Sequence, residues 1–230
     1  AHRGLHGPDC PENSLGAFER ACQAGCGIEL DVQMTRDGRL VVFHDDDGLR
    51  MTGRGGLIRE MTLSDVRALR LAGGGEGIPT FDEVLELVSG RVPLLVEIKT
   101  APGIGAITGK TVARLKEYGG RYLMESLDPR CLLWLRKNTP GIVRGFLVQG
   151  YRANRESQPA IVSFIASSLL ANVLARPDFI AHSREMKGNP SLWLCETIFR
   201  APMAEWTIAE RGEREALIRR GIMPIFDENK

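Results

Sequence analysis

The sequence has no run of about 18 uninterrupted apolar residues, so a membrane-spanning helix is excluded. The longest apolar-looking stretch, 160–174, is interrupted by Ser163, Ser167, Ser168 and Asn172 and reads as a buried helix. Charge of one sign is not in excess. Thirty Lys and Arg stand against 29 Asp and Glu, a net charge of +1, which excludes a broad basic footprint for nucleic acid. Cysteines are few and scattered at Cys10, Cys22, Cys26, Cys131 and Cys195, and an odd number without paired spacing is no disulfide framework. The absence of a CxxC or a nearby His argues against zinc. The cysteines read as reduced thiols, which places the chain in the cytoplasm. No signal-peptide pattern opens the chain, and no short repeat or low-complexity linker divides it. The 230 residues are therefore read as one domain, residues 1–230.

What is present is an alternation of short apolar runs with amphipathic segments. The runs Ala1–Arg3, Ile28–Val32, Leu94–Ile98, Tyr122–Glu125, Val143–Val148, Phe179–Ala181, Met203–Ile208 and Ile222–Phe226 read as strands. Helical spacing is found in Ser14–Ala24, Phe81–Val88, Ile107–Tyr118, Arg130–Lys137, Ile161–Ala175, Ser191–Arg200 and Glu213–Arg220, with Ser14 as an N-cap. Eight strands alternating with helices predict an α/β fold, a closed (β/α)8 TIM barrel, with a doubly wound sheet as the alternative. One further run, Arg39–His44, follows Asp37–Gly38, a pair that favours a two-residue type I′ hairpin loop. That loop sets Asp31 opposite His44, with Glu29 on the same face. The Gly-rich stretch 45–79 is then a small insertion after the second strand, with a short helix near Leu63–Leu69.

Functional groups of such a barrel sit at the C-terminal ends of its strands. His2 and Arg3 end the first run, Glu29 and Asp31 lie along the second, and Glu97 and Lys99 end the third. A carboxylate inside the apolar run Leu94–Ile98 needs a partner. A cation is the simplest partner, and Glu29, Asp31 and Glu97 offer three oxygen ligands, which suits Mg²⁺, Ca²⁺ or Mn²⁺; a buried salt bridge to Lys99 or Arg3 is the alternative. His2 and His44 have the chemistry of an acid/base pair, and Arg3 and Lys99 add positive charge suited to a phosphate. His182 reads as a spectator. The run Gly73–Gly77 lacks the Lys-Ser/Thr of a nucleotide loop and reads as a turn. Trp206 either walls the mouth of the barrel or fills core.

These residues fall in a familiar order. Ala1-His2-Arg3-Gly4, Pro11-Glu12-Asn13-Ser14, Gly27-Ile28-Glu29-Leu30-Asp31-Val32, Asp37-Gly38 and Phe43-His44-Asp45 come first. Pro79–Val84, Glu97-Ile98-Lys99, Ser126–Pro129 and Glu205–Ile208 follow. The chain thereby resembles the glycerophosphodiester phosphodiesterase family over nearly its whole length. The resemblance implies a phospholipase C-like barrel and a metal-dependent hydrolysis of a small-molecule glycerophosphodiester to sn-glycerol 3-phosphate and an alcohol. It implies His2 and His44 as the acid/base pair and Glu29, Asp31 and Glu97 as ligands of a divalent cation. Arg3 and Lys99 match positions near the phosphate, Trp206 one on the glycerol side, and Glu12 an acidic residue that orients site groups. A lysophospholipid or sphingolipid headgroup is an alternative substrate, and a non-catalytic phosphodiester-binding protein an alternative role. Two departures stand out. The segment Asp46–Thr52 differs from the family's usual Thr-Leu and Arg-Thr-Thr run, and the last strand ends Ile225-Phe226-Asp227 without the Pro that usually follows nearby.

Overall fold

The computed structural model describes residues 1–73, 75–150 and 172–228. It divides into two compact units. The first holds the described residues of 1–123 with Asp227 and Glu228, and the second the described residues of 124–226.

The first unit is built on β1 (Ile28–Met34), β2 (Leu40–Val42) and β3 (Leu94–Ile98). β1 runs parallel to β3 with Asp31 beside Glu97, and antiparallel to β2. Every residue of β1 from Ile28 to Gln33 is buried. Leu30 and Val32 therefore fill core on one face while Glu29 and Asp31 are enclosed on the other, following the two-residue period of a strand. Helix α1 (Leu15–Gln23) starts where expected, with the Ser14 hydroxyl accepting the amide of Ala17 at 3.1 Å. Its buried face is Ala17, Phe18 and Ala21. Helix α4 (Phe81–Val88) buries Phe81, Val84, Leu85 and Val88 as predicted, behind a capping box between Thr80 and Glu83.

Two expectations are corrected. Ala1–Arg3 is not a strand. Ala1 bonds alongside β1, its ammonium donating to Gly27 O and its carbonyl accepting from Glu29 N. Arg3 and Gly4 then turn into the left-handed region, at φ 54° and 83°, which ends the extension. Gly4 has a second reason to be glycine, since a Cβ there would meet Ala17 at 2.8 Å. The hairpin loop is also longer by one residue. Thr35 N donates to Arg39 O and Gly38 N to Thr35 O, so residues 36–38 form the loop, with Gly38 at φ 77°. A type I′ loop needs positive φ at both central positions, and Asp37, whose carboxylate accepts from the hydroxyl of Thr35, does not adopt it. The pairing becomes Val32 with Val42, and Asp31 O accepts from Phe43 N instead of facing His44.

From β2 the chain enters the 45–79 excursion through α2 (Leu49–Thr52), a 3₁₀ turn at Ile58–Glu60 and α3 (Leu63–Arg67). Ile58, Val66, Leu69, Leu71 and Ile78 of the excursion form an apolar cluster with Val41 of β2 and with Phe43. α5 (Ile104–Glu117) completes the unit.

The second unit carries parallel strands. β4 (Tyr122–Ser126), β5 (Arg144–Val148), β6 (Phe179–Ser183), β7 (Met203–Ile208) and β8 (Met223–Phe226) pair in sequence order. α6 (Pro129–Asn138) begins at an Asp128 cap with Pro at its first position. Further helical segments span Pro190–Trp193, continued by a π-helical turn Leu194–Ile198, and Arg211–Arg219. The predicted helix Ile161–Ala175 lies outside the described residues except for Asn172–Ala175, which is helical. No described helix is long and apolar enough to cross a membrane, and the five cysteines are free.

Removal of the α4 cap gives a local test. Thr80→Ala is expected to lower stability by about 1 kcal/mol, read as a lower urea midpoint with an unchanged slope. An unchanged midpoint would contradict the capping box.

Candidate active site

The functional side chains of the first unit gather around the polar face of β1. Among the described residues, Glu29, Asp31 and Glu97 each offer an oxygen, all within 4.8 Å of one another, and all three residues are buried. The parallel register that sets Asp31 beside Glu97, and the two-residue step from Asp31 to Glu29, produce this grouping. Two cations face it. Lys99 Nζ lies 3.0 Å from Glu97 Oε1 and 3.2 Å from Asp31 Oδ1, and Arg3 Nε lies 3.5 Å from Asp31 Oδ2. The salt bridges weighed in the sequence are therefore present together with the carboxylate cluster.

The N-terminal loop is held onto this cluster at several points. Arg3 N donates to Glu29 Oε2 at 3.0 Å, and Arg3 Nη1 donates to Glu12 Oε1 at 2.7 Å. Arg3 O accepts from Asn13 N, and Asn13 Nδ2 donates to Asp31 Oδ2 at 2.8 Å. Arg3 and Asn13 both sit at positive φ, 54° and 55°. Non-glycine residues keep such backbone only where surrounding contacts fix it, and these hydrogen bonds supply the constraint.

The two histidines approach with the same ring edge occupied. His2 Nδ1 donates to Asp227 Oδ1 at 2.9 Å, which leaves Nε2 turned toward Glu29 Oε2, 4.0 Å away. His44 Nδ1 donates to Asp45 Oδ1 at 2.7 Å. His44 is near Asp31 despite the changed register, because β2 ends at Val42 and His44 is no longer bound to the strand's alternation. Gln33 fixes the backbone on either side of it, donating to Phe43 O at 2.9 Å and Asp45 O at 2.7 Å.

Burial and charge set the protonation states. Glu29 is pushed well above the usual carboxyl range by burial and by the charges of Asp31 and Glu97. Glu97 is pushed up to about 7, chiefly by burial, with Asp31 adding to it and Lys99 opposing. Burial also opposes ionisation of Asp31, yet the charges of Lys99, His44 and Arg3 and the Asn13 hydrogen bond hold it far below its ordinary value. Glu12 is lowered to about 2, since its bonds to Arg50 and Arg3 outweigh desolvation. Desolvation lowers His2 and His44 despite their carboxylate partners. Three buried carboxylates thus face two nearby cations, and the two glutamates bind their protons more tightly than an exposed carboxyl does.

His2, Arg3, Glu12, Glu29, Asp31, His44, Glu97 and Lys99 all lie in the first unit. Trp206 lies in the second, half-buried on β7, where it lines a hollow with Gln149, Ser183, Arg184, Glu185 and Thr207. Its Nε1 is buried with no acceptor among the described residues. His182 is buried on β6, its Nδ1 bonded to the carbonyl of Ser183. Sequence reasoning missed Asn13, Gln33, Asp45, Arg50 and Asp227. Asn13 and Asp45 stand inside quoted motifs and were accessible there. Asp227 is 225 residues from His2, and no local pattern reveals that pairing.

A family model described as the glycerophosphoryl diester phosphodiesterase family matches residues 2–188. The chain belongs to this family. A glycerophosphodiester phosphodiesterase of Caldanaerobacter subterraneus subsp. tengcongensis is 39% identical over 162 residues, covering 65% of each chain. One of Bacillus altitudinis is 42% identical over 106 residues, 43% of each. The chain thus spans less than two thirds of the length of these relatives. A phosphodiesterase of Oleispira antarctica, solved in complex with the product sn-glycerol-3-phosphate, shares the fold at a TM-score of 0.79 and 23% identity, covering 99% of this chain and 91% of that one. A glycerophosphodiester phosphodiesterase of Thermotoga maritima follows at a TM-score of 0.71 and 25% identity, covering 98% and 92%.

The raised Glu97 carboxyl has a consequence for stability. A carboxyl that binds its proton more tightly in the folded state contributes stability that is full below its unfolded value, 4.5, and is lost as pH rises through about 7. Glu97→Gln removes this titration. In chelator-treated protein, the thermal midpoint of the wild type relative to Glu97→Gln is expected to fall as pH rises from about 4.5 to about 7. A flat difference across that window would contradict a raised Glu97.

Proposed function

We propose that this protein hydrolyses glycerophosphodiesters to sn-glycerol 3-phosphate and an alcohol, with a divalent cation at Glu29, Asp31 and Glu97. The observation that carries the reading is the buried carboxylate trio flanked by two histidines and two cationic side chains. The trio fits a hard cation. All donors are oxygens, and two of them, Asp31 Oδ1 and Glu97 Oε1, are buried with Lys99 Nζ alone facing both, one cation between two carboxylates. Protons retained on Glu29 and Glu97 are those a cation would displace. When bound, the cation supplies Lewis-acid neutralisation of phosphoryl oxygen charge.

The remaining work falls to side chains of the chain. Arg3 and Lys99 bind the phosphate and offset its charge. Asp227 and Asp45 each accept from an Nδ1, so the Nε2 of His2 and of His44 is the free ring nitrogen. Lowered histidine pKa values keep neutral imidazole available as a base near pH 7. One Nε2 takes the proton of the nucleophile, water or a substrate hydroxyl. The other enters as the imidazolium, its Nδ1–H still held by its aspartate, and delivers its Nε2 proton to the leaving oxygen, because an alkoxide leaves poorly near neutral pH. Glu12 holds the Arg3 guanidinium, and Trp206 lines the glycerol side. The reading includes a closed (β/α)8 barrel formed by residues 1–230 as one domain, with 45–79 as an insertion after the second strand, working in the cytoplasm. Support comes from family membership and from the Oleispira antarctica relative, solved with sn-glycerol-3-phosphate.

The test is release of glycerol 3-phosphate from glycerophosphocholine. Chelation is expected to abolish activity and added Mg²⁺, Ca²⁺ or Mn²⁺ to restore it. His2→Ala and His44→Ala are each expected to lower kcat by about 100-fold or more. Full activity in thoroughly metal-depleted protein, or in either histidine variant, would overturn the assignment.

A further inference from the structure

Arg50 is not one of the carboxylate cluster's direct partners. It stands on α2 of the 45–79 excursion with its side chain 49% exposed. Its Nε and Nη2 donate to the two carboxylate oxygens of Asp45, at 2.6 and 3.0 Å. Its Nη1 and Nη2 donate to the two oxygens of Glu12, at 3.2 and 2.6 Å. One planar guanidinium therefore makes two forked pairs, sharing Nη2 between them. Each carboxylate holds a different group of the candidate active site. Asp45 Oδ1 accepts from His44 Nδ1 at 2.7 Å, and Glu12 Oε1 accepts from Arg3 Nη1 at 2.7 Å.

We propose that Arg50 is a positioning residue that fixes the His44 ring through Asp45 and the Arg3 guanidinium through Glu12, so that competence of the site depends on the folded 45–79 excursion. The physical reason lies in the shared nitrogen. Two carboxylates that both bond Nη2 are close neighbours, and like charges so placed separate unless a cation lies between them. With Arg50 gone, Asp45 and Glu12 turn apart toward solvent, and each lets go of the group it holds, His44 Nδ1 and Arg3 Nη1. Asp45 then no longer holds the His44 Nδ1–H, and the ring loses its fixed tautomer and direction. A lysine is no substitute, because an ammonium is a point charge and cannot present two forks at once. The excursion fixes Arg50 in turn, since Met51, the next residue, packs against its apolar cluster and accepts at its carbonyl from Ala72 N at 2.6 Å.

The activity arm of the test rests on the glycerophosphodiesterase reading, and the spectroscopic arm does not. Arg50→Ala and Arg50→Lys are made in the full chain and assayed on glycerophosphocholine with saturating divalent cation. Both are expected to lose about 10- to 100-fold in kcat with KM changed far less. Guanidinium ion is expected to restore part of the activity of Arg50→Ala, and ammonium ion none. Ring nitrogen chemical shifts follow the tautomer of neutral His44, one of only four histidines. A single Nδ1–H tautomer in the wild type is expected to become a mixture in both variants. Retention of that single tautomer in the variants overturns the proposal, whatever happens to kcat. So does a kcat within about twofold of wild type. If the wild type itself cleaves no glycerophosphodiester, it is the proposed function that fails, and the His44 tautomer alone decides the role of Arg50.

Discussion

The organisation of the first unit depends on burying three carboxylates in one small volume. Glu29, Asp31 and Glu97 repel one another there, and removal from water makes each charge more expensive. Among the described residues, two cations, Arg3 and Lys99, stand against the three. The imbalance is visible in opposite directions on neighbouring groups. Asp31, with Lys99, Arg3 and Asn13 around it, is held toward the ionised form, while Glu29 and Glu97 are pushed toward the protonated one. Such a cluster does little for stability by itself, since well-packed apolar residues fill the same space at lower cost. Its arrangement is that of a site prepared for one more positive charge.

The structure around the trio can be read as the means of holding it. The Arg3 amide and guanidinium are tied to Glu29 and Glu12, and Asn13 ties the returning chain to Asp31. Positive φ at Arg3 and Asn13 is the backbone cost of bringing the loop so close. Gly4 permits the approach to α1. Gln33 does the same work for the other wall, binding the carbonyls that flank His44. Both histidines offer Nε2 because both have a carboxylate behind Nδ1. This histidine–carboxylate pairing occurs twice, and the two pairs come from unrelated parts of the chain.

Much of the local structure was legible in the sequence. The Ser14 cap, the buried face of α4 and the strand carrying Glu29 and Asp31 follow from short patterns, which local interactions decide. The carboxylate trio was legible because strand period and parallel register leave little choice for residues inside apolar runs. Loop geometry was less so. Asp37–Gly38 favours a two-residue loop, yet the Thr35 hydroxyl captures the Asp37 carboxylate and a three-residue loop results. The one-residue slip moved Phe43 opposite Asp31 but did not scatter the site, because His44 lies beyond the end of β2. Asp227 and Arg50 act through contacts distant in sequence, 225 residues for His2 with Asp227 and 38 for Glu12 with Arg50. Pairings of that span leave no periodic trace.

The account turns on whether the three carboxylates take up a cation in place of their protons. The direct measurement is calorimetric titration of Mg²⁺, Ca²⁺ or Mn²⁺ into chelator-stripped protein, near pH 6, in two buffers of different ionisation enthalpy. The account predicts one site per chain, a heat that differs between the buffers because protons leave Glu29 and Glu97 on binding, and loss of the site in Asp31→Asn. Absence of a saturable site, or binding that releases no protons and survives Asp31→Asn, would contradict it.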